Sequence, residues 1–320
     1  MYDLLLKNAW VVDPLNSVNG VADVAIQDSK IAKVQRDITE EAKEVIDFTG
    51  KTLQPGIIDS HVHLGEMWGS PFGPRMLAMN GVTTCLDMAG PLENILDNVP
   101  KYGVGINMAI LQFASPPFTF KDANPSQQEM IDLIDKSLEE GALGVKLLGG
   151  HYPLEPEVSS LLIRTALERR AYVAWHAGTT KNGSNINGMI EAVKMADGYP
   201  MHLAHINAYC RGAIKDAMEE TAIAIDLLKA NPNIFCESYV SPKNGTRLTC
   251  DKDGKIQSKV TGNCLRAFGF TEDKGGVRAA LLAGKAFVVY DAGGYSDLMT
   301  GEEALRRWEA ADTNVGGSFN

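Results

Sequence analysis

Seven short apolar runs alternate with stretches of helical periodicity between residues 57 and 240. The apolar runs lie near residues 57–63, 83–88, 106–113, 144–148, 172–177, 201–206 and 234–240. The helical stretches lie near residues 68–80, 92–100, 125–140, 156–169, 186–196 and 213–230. Near-continuous apolar runs are typical of parallel strands covered on both faces. Such a series of βα units, without a glycine-rich dinucleotide-binding motif, favours an α/β fold with a (β/α)8 TIM-like barrel.

Two parts of the chain depart from this alternation. Residues 1–53 contain short apolar runs separated by turns, which predicts a β-rich segment too thin to be stable unless it packs on another element. Residues 241–283 are polar and rich in turn residues, which predicts a loop or small β-excursion inserted over the barrel mouth as a lid. A helix near 277–285 and a strand near 287–290 follow. We therefore expect a small β-segment over residues 1–53, followed by a barrel over residues 54–320.

The composition limits the partners of the chain. The net charge of −10 among 320 residues argues against nucleic acid and anionic membranes, because both attract clusters of Lys and Arg. No apolar run reaches the roughly 18 residues that would span a bilayer, and the N-terminus lacks the features of a signal peptide. Five scattered cysteines fit reduced thiols better than a disulfide framework. These features predict a cytoplasmic protein that acts on a small molecule.

Histidines mark the ends of several predicted strands. His61 and His63 end the first strand, and because a strand has a period of two residues, both side chains point to the same face. His176 ends the fifth predicted strand, and His205 ends the sixth. Lys146 ends the fourth, within an otherwise apolar run. In a (β/α)8 barrel the carboxyl ends of the strands meet at one rim, so these five side chains should converge there.

This set of side chains suits a metal centre. Imidazole is a good zinc ligand, and a bound zinc ion lowers the pKa of its water to about 7. Burying an ammonium group is costly, so Lys146 needs an explanation. Carbamylation by carbon dioxide would convert it to an anionic carboxylate able to bridge two metals. The sequence therefore predicts a divalent metal, as one or two zinc ions.

Other polar residues near the predicted rim have more ordinary interpretations. Only one of His202 and His205 should face the site, and His205 is chosen because it lies nearer the end of the strand. His151, on a glycine-rich loop, is interpreted as a surface or substrate-contact residue. Cys85 and Asp87 lie on the second strand, where core packing is favoured over metal binding for both residues.

The segment Pro55–His63, with Lys146, His176 and His205 further along, resembles the metal-dependent amidohydrolase superfamily over nearly the whole chain. The resemblance implies that the N-terminal segment belongs to a small β-sandwich beside the barrel. It also implies that His61 and His63 bind one metal, that His176 and His205 bind the other, and that carbamylated Lys146 bridges them. The segment Gly141–Lys146 resembles the branch of D-aminoacylases and N-acyl-D-glutamate deacylases. Lys146 itself is closer to the dihydroorotase and hydantoinase pattern.

The same resemblance implies an aspartate at the end of the eighth barrel strand, which contacts the metal and transfers protons. Asp291 is the candidate in this chain. The alternative is that Asp291 belongs to the insertion, in which case the catalytic aspartate lies beyond residue 320 and the barrel is incomplete at its C-terminus. The family also completes its small sandwich with later strands, so the chain resembles a C-terminally shortened member.

Three functions remain open at this point. The first is hydrolysis of the amide bond of an N-acyl-D-amino acid, such as an N-acyl-D-glutamate, whose carboxylate Arg211 would bind. The second is hydrolysis of a cyclic amide of the dihydroorotase or hydantoinase type, which Lys146 favours. The third is a non-catalytic barrel used in assembly, although such proteins usually lose their metal ligands. A homo-oligomer is compatible with each of them.

Overall fold

The computed structural model describes residues 1–64, 72–239, 244–292 and 295–319. The chain divides into two compact units. The first comprises Met1–Asp59, Phe72–Cys85 and Val104–Asn107, and the second comprises the remaining described residues. No helix in the described ranges is both long and apolar enough to cross a membrane.

The N-terminal segment of the first unit forms a five-stranded sheet. Its strands are β1 Tyr2–Asp13, β2 Val18–Gln27, β3 Lys30–Gln35, β4 Ala42–Asp47 and β5 Thr52–Leu53. The order is β3-β2-β1-β4, and β5 also pairs with β1. Leu6, Val11 and Val24 are buried together in an apolar cluster of this sheet. The β-rich N-terminal segment predicted from the sequence is confirmed.

A second sheet contains seven strands in chain order. They are β6 Ile57–Val62, β7 Val82–Ala89, β8 Asn107–Ala114, β9 Gly144–Leu148, β10 Tyr172–His176, β11 Met201–Leu203 and β12 Ile234–Cys236. The pairs from β8 to β12 are parallel. Each strand lies at or near a predicted apolar run, so the predicted series of parallel strands is confirmed.

Six helices alternate with these strands, as predicted. They are α1 Phe72–Met79, α2 Leu92–Tyr102, α3 Gln127–Glu139, α4 Pro156–Glu168, α5 Ile186–Ala196 and α6 Ala217–Ala230. The first residues of the helix expected near 68–80 lie outside the described residues. The main apolar core of the second unit packs α3, α4, α5 and α6 on the sheet, with Trp175, Leu162 and Met130 almost fully buried.

The start of α3 shows how local sequence sets an element. Ser126 is the N-cap, and its hydroxyl accepts a hydrogen bond from the backbone N–H of Glu129. The Glu129 carboxylate in turn accepts the backbone N–H of Ser126 at 2.8 Å. This reciprocal capping box satisfies two of the N–H groups that a helix start leaves without partners. The helix predicted near residues 125–140 therefore begins at Gln127, directly after this cap.

Residues 244–319 form a third sheet with helices of their own. The elements are β13 Asn244–Arg247, α7 Lys259–Ala267, α8 Lys274–Leu282, β14 Ala286–Ala292, β15 Tyr295–Met299, α9 Gly301–Ala310 and β16 Gly316–Phe319. The sheet order is β13-β16-β14-β15, and its pairs are antiparallel. Trp308, Leu265 and Phe319 are buried in a separate apolar cluster.

The pairing of β14 differs from the expectation for the strand that contains Asp291. That strand was expected to be the eighth parallel strand of a barrel. In the described part of the chain β14 instead pairs antiparallel with β15 and β16, and Asp291 lies opposite Ser296. The physical reason is the pairing itself, because the antiparallel partners β15 and β16 place β14 in the third sheet. Closure into a (β/α)8 barrel therefore stays a prediction.

Candidate metal centre

His61 and His63 lie side by side at the carboxyl end of β6. Their ring centroids are 5.1 Å apart, and their Nε2 atoms are 3.2 Å apart. Two nitrogens bound tetrahedrally to one zinc ion at roughly 2.0–2.1 Å would be separated by about 3.3 Å. The two imidazoles therefore already have the spacing that two ligands of one ion require.

Two further histidines extend this pair. The ring of His205 stacks on His61 with centroids 5.0 Å apart. The ring of His176 packs edge-on against His205 at 4.5 Å. We call His61, His63, His176 and His205 the imidazole cluster. The four residues come from the ends of three different strands, so the parallel sheet brings them together as predicted from their positions.

His205 enters the cluster because the backbone turns sharply after β11. Its φ of +32° is in the left-handed region, which is unusual for a residue with a side chain. His202, within β11, is buried and interacts elsewhere: its Nδ1 lies 2.8 Å from the Tyr172 hydroxyl. The structure thus places His205 rather than His202 in the imidazole cluster.

The site also contains a carboxylate, Glu237, that was not predicted from the sequence. Glu237 directly follows β12, and its two oxygens contact His61 Nδ1 and the backbone N–H of His205. Its Oε1 also lies 3.7 Å from His202 Nε2, an ion-pair distance that is too long for a hydrogen bond. Burial opposes ionisation, but the contacts with these histidines lower the pKa of Glu237 well below its usual range. The signal that could have identified Glu237 is its position, because it is an acidic residue that directly follows the short apolar strand β12.

Lys146 lies in the interior of the site, on β9. It is 1% exposed, and its Nζ donates a hydrogen bond to Met88 Sδ at 3.2 Å. Burial lowers its pKa to about 7, although the carboxylates of Glu237 and Asp87 oppose this shift. Asp87 is itself fully buried and accepts the backbone N–H groups of Leu64 and Gly90. A substantial fraction of Lys146 is therefore a neutral amine near pH 7.

The histidines have the protonation state that metal binding needs. Burial lowers the pKa of His205 to about 3 and lowers the pKa of His176 well below its ordinary value. Their rings are therefore neutral at pH 7, and only a neutral imidazole has a lone pair for a metal. Among the described residues, the buried Nδ1 of His205 has no hydrogen-bond partner. An orphaned buried nitrogen in a set of neutral imidazoles fits a divalent metal.

The described residues contain no three His, Cys, Asp or Glu side chains already arranged as metal ligands. The fit to a metal therefore rests on the donor chemistry and on the spacing of the His61 and His63 nitrogens. Lys146 would complete the donor set only as a carbamate, because an ammonium group has no lone pair to donate.

Residues of the predicted rim lie on loops after the strands. The His151 ring is exposed, with its centroid 5.9 Å from that of His176. Arg211 donates a hydrogen bond to the Tyr239 hydroxyl at 2.8 Å. Ser184 Oγ lies 2.7 Å from His176 Nε2. The backbone of Asp291 lies in β14, in the third sheet.

Comparison with known proteins agrees with this fold. An N-acyl-D-glutamate deacylase of Bordetella bronchiseptica, complexed with zinc and a phosphonate inhibitor, matches with a TM-score of 0.68 and 17% identity, covering 99% of this chain and 71% of that one. A D-aminoacylase matches with a TM-score of 0.67 and 18% identity, covering 100% and 71%. These identities are low, so both matches show the fold alone.

A curated relative adds sequence similarity. The dihydroorotase of Streptococcus pneumoniae is 32% identical over 198 residues, which cover 58% of this chain and 44% of the relative. The matched segment therefore spans less than half of that enzyme. No family model matches the chain.

Fold and similarity together define the class of protein. The parallel sheet flanked by helices, with polar side chains gathered at the carboxyl ends of its strands, resembles the corresponding part of α/β barrel enzymes. The solved structures and the curated relative come from one superfamily of such enzymes. The chain is similar in fold, and over 58% of its length in sequence, to members of the amidohydrolase superfamily.

Proposed function

We propose that this chain forms the metal centre of a hydrolase that cleaves non-peptide amide C–N bonds. The observation that carries the proposal is the imidazole cluster beside a buried lysine. His61 and His63 would hold one divalent ion, His176 and His205 a second, and Lys146 would bridge them as a carbamate. Zinc bound there would supply hydroxide at neutral pH and polarise the substrate carbonyl.

The residues of this chain have distinct tasks in such a reaction. The neutral amine of Lys146, present because burial lowers its pKa to about 7, is the form able to react with carbon dioxide. Asp291 stays the candidate from sequence for moving a proton to the leaving nitrogen. Arg211, positioned by Tyr239, is the candidate for binding a substrate carboxylate. His151, with its ring near His176, is the candidate for a direct contact with the substrate.

We propose an N-acyl-D-amino acid, such as an N-acyl-D-glutamate, as the substrate. The support is the likeness to the Bordetella deacylase, which extends over 99% of this chain. We also propose that the native fold completes a (β/α)8 barrel and that the bound metal is zinc. A cyclic amide is the second candidate substrate. It is favoured by Lys146 on β9 and by the 32% identity to a dihydroorotase.

Metal analysis and substrate screening test the proposal. Purified protein supplied with zinc should contain one or two ions per chain, and the double variant His61→Ala/His63→Ala should lose at least one of them. Lys136→Ala, on the exposed side of α3, is the matched control and should keep the wild-type content. Release of the free amino acid from N-acyl-D-glutamate identifies a deacylase, whereas ring opening of dihydroorotate or hydantoins identifies the cyclic-amide alternative.

Two outcomes would overturn the proposal. Less than about one ion per chain in zinc-supplied protein would favour a non-catalytic barrel. Full metal content without hydrolysis of either substrate class would contradict the assigned chemistry while leaving the metal centre in place.

A further inference from the structure

We propose that Glu237 is a positioning residue that sets two ligands of the metal centre at once, the ring of His61 and the backbone of His205. The inference rests on the proposed function, because it concerns ligands of the proposed metals. Glu237 contacts both of these histidines and is not itself one of the proposed metal ligands.

The first task is to orient His61. One carboxylate oxygen of Glu237 contacts His61 Nδ1, so Nδ1 carries the proton in that contact. The proton on Nδ1 leaves the lone pair on Nε2, the atom that faces His63 Nε2 at 3.2 Å. A carboxylate on the far nitrogen of a ligating histidine fixes both the tautomer and the ring direction. Glu237 therefore directs the lone pair of His61 toward the space that it shares with His63.

The second task is to hold the turn that brings His205 into the cluster. The other oxygen of Glu237 accepts the backbone N–H of His205, and the Glu237 carbonyl accepts the N–H of Ile206 at 2.9 Å. A left-handed residue with a side chain costs on the order of 1–3 kcal/mol and persists only when its surroundings enforce it. Because Glu237 binds both N–H groups, it enforces this turn on either side of His205.

The position of Glu237 is itself well determined. It directly follows β12, whose last residue, Cys236, pairs with Leu203 at the end of β11. The ladder between the two strands thus brings Glu237 level with the turn at His205. The strand pairing fixes the position of Glu237, and Glu237 in turn fixes the positions of His61 and His205.

Substitution by glutamine separates this task from simple packing. Glutamine keeps the size of Glu237 but has one acceptor oxygen in place of two. In either amide orientation an NH2 group would face the proton on His61 Nδ1 or the backbone N–H of His205, and one contact would be lost. Glu237→Asp keeps both acceptors on a shorter side chain, so it serves as the conservative second variant.

Glu220→Gln is the matched control. Glu220 is a fully buried carboxylate, whereas Glu237 is partly buried, and Glu220 accepts the backbone N–H groups of Gly212, Ile214 and Lys215 at 2.8 to 3.0 Å. It touches no member of the imidazole cluster through these bonds. Its loss should therefore lower the melting temperature of the metal-free protein without changing the affinity of a bound metal.

The experiment measures zinc affinity by competition with a chelator, the visible spectrum of the Co²⁺-substituted full chain, and the melting temperature without metal. We expect zinc to bind Glu237→Gln about 10–100-fold more weakly than wild type, with an altered Co²⁺ spectrum. Glu237→Asp should recover part of the affinity. Glu220→Gln should bind zinc as wild type does.

Each other outcome has a clear meaning. Wild-type zinc affinity and spectrum in Glu237→Gln would overturn the inference and leave the proposed function intact. Equal weakening in Glu220→Gln would also overturn it, because the effect would then come from general loss of structure. If Glu237→Gln does not fold, Glu237→Asp carries the test. Zinc binding weaker than wild type, with an altered Co²⁺ spectrum, would support the inference, and wild-type affinity and spectrum would contradict it. A wild-type chain that binds no metal would overturn both proposals.

Discussion

Lys146 Nζ donates a hydrogen bond to the thioether sulfur of Met88 over 3.2 Å, in a position where the lysine is 1% exposed. Thioether sulfur is a weak acceptor, so this bond offsets little of the cost of burying an ammonium group. The carboxylates of Asp87 and Glu237 favour the ammonium form, but burial dominates and the pKa falls to about 7. Burying Lys146 therefore lowers the free energy of unfolding, as expected for a residue kept for function rather than for stability.

Replacing Lys146 by methionine should separate stability from metal binding. Methionine has a similar length and carries no charge, so the metal-free variant should be more stable than wild type at pH 7 by up to about 4 kcal/mol, because the lowered pKa of Lys146 measures the cost of burying its charge. The same change removes the proposed bridging group, so the metal content should fall below that of wild type. Thermal unfolding after chelation and metal analysis measure the two effects. A less stable variant with full metal content would contradict both expectations.

The stability difference should also depend on pH. The pKa of Lys146 is about 7 in the folded protein against 10.5 for an ordinary lysine. Between these values the unfolded chain binds a proton that the folded protein does not, so the free energy of unfolding of wild type rises with pH. Below about pH 7 both states are protonated and the penalty is fully present. Denaturant unfolding of both metal-free proteins should show a gap that is flat below pH 7 and narrows toward pH 10, and a constant gap would count against this explanation.

Gly150 should be required for the position of His176. A Cβ atom at Gly150 would lie 2.1 Å from His176 Nε2, which also meets Ser184 Oγ at 2.7 Å. Gly150→Ala should therefore displace this ring, break its bond to the serine and weaken metal binding by at least about tenfold. The control is Gly20→Ala, where nothing lies within 4 Å of the added atom. Zinc titration of both variants checks the expectation, and wild-type affinity in Gly150→Ala would show that the loop moves instead of the ring.

The repeated βα pattern could be predicted from the sequence because both periodicities are local. An apolar run of five or six residues followed by an amphipathic helix needs no knowledge of distant residues. The same reasoning placed His61, His63, His176 and His205 at strand ends, and the structure brings their rings into one cluster.

The features that could not be predicted from local sequence patterns are those that depend on pairing between distant segments of the chain. The apolar run Phe287–Tyr290 fits a parallel or an antiparallel strand equally well, and only its partners β15 and β16 decide between them. Glu237 was overlooked because β12 is only three residues long, so the end of that strand was predicted too late in the sequence. The turn that presents His205 depends on this same carboxylate, 32 residues away along the chain.

The N-terminal sheet offers a prediction that does not depend on the metal centre. Asp23 is 3% exposed and accepts hydrogen bonds from Lys7 Nζ at 2.6 Å and from the backbone N–H groups of Asn8 and Ile38 at 2.8 and 2.9 Å. Burial alone would raise the pKa of Asp23, but these three donors outweigh it and lower the pKa below the ordinary 3.8.

Asp23→Asn should therefore reduce the free energy of unfolding by about 2 kcal/mol at pH 7. Because the folded pKa is depressed, this contribution is present above about pH 4 and disappears as the pH falls through the folded pKa. Unfolding of wild type, Asp23→Asn and the exposed-pair control Glu40→Gln should show a stability difference for Asp23→Asn alone, and that difference should close below pH 3.8. A difference that persists at lower pH would mean that the shape of the Asp23 side chain, rather than its charge, makes this contribution.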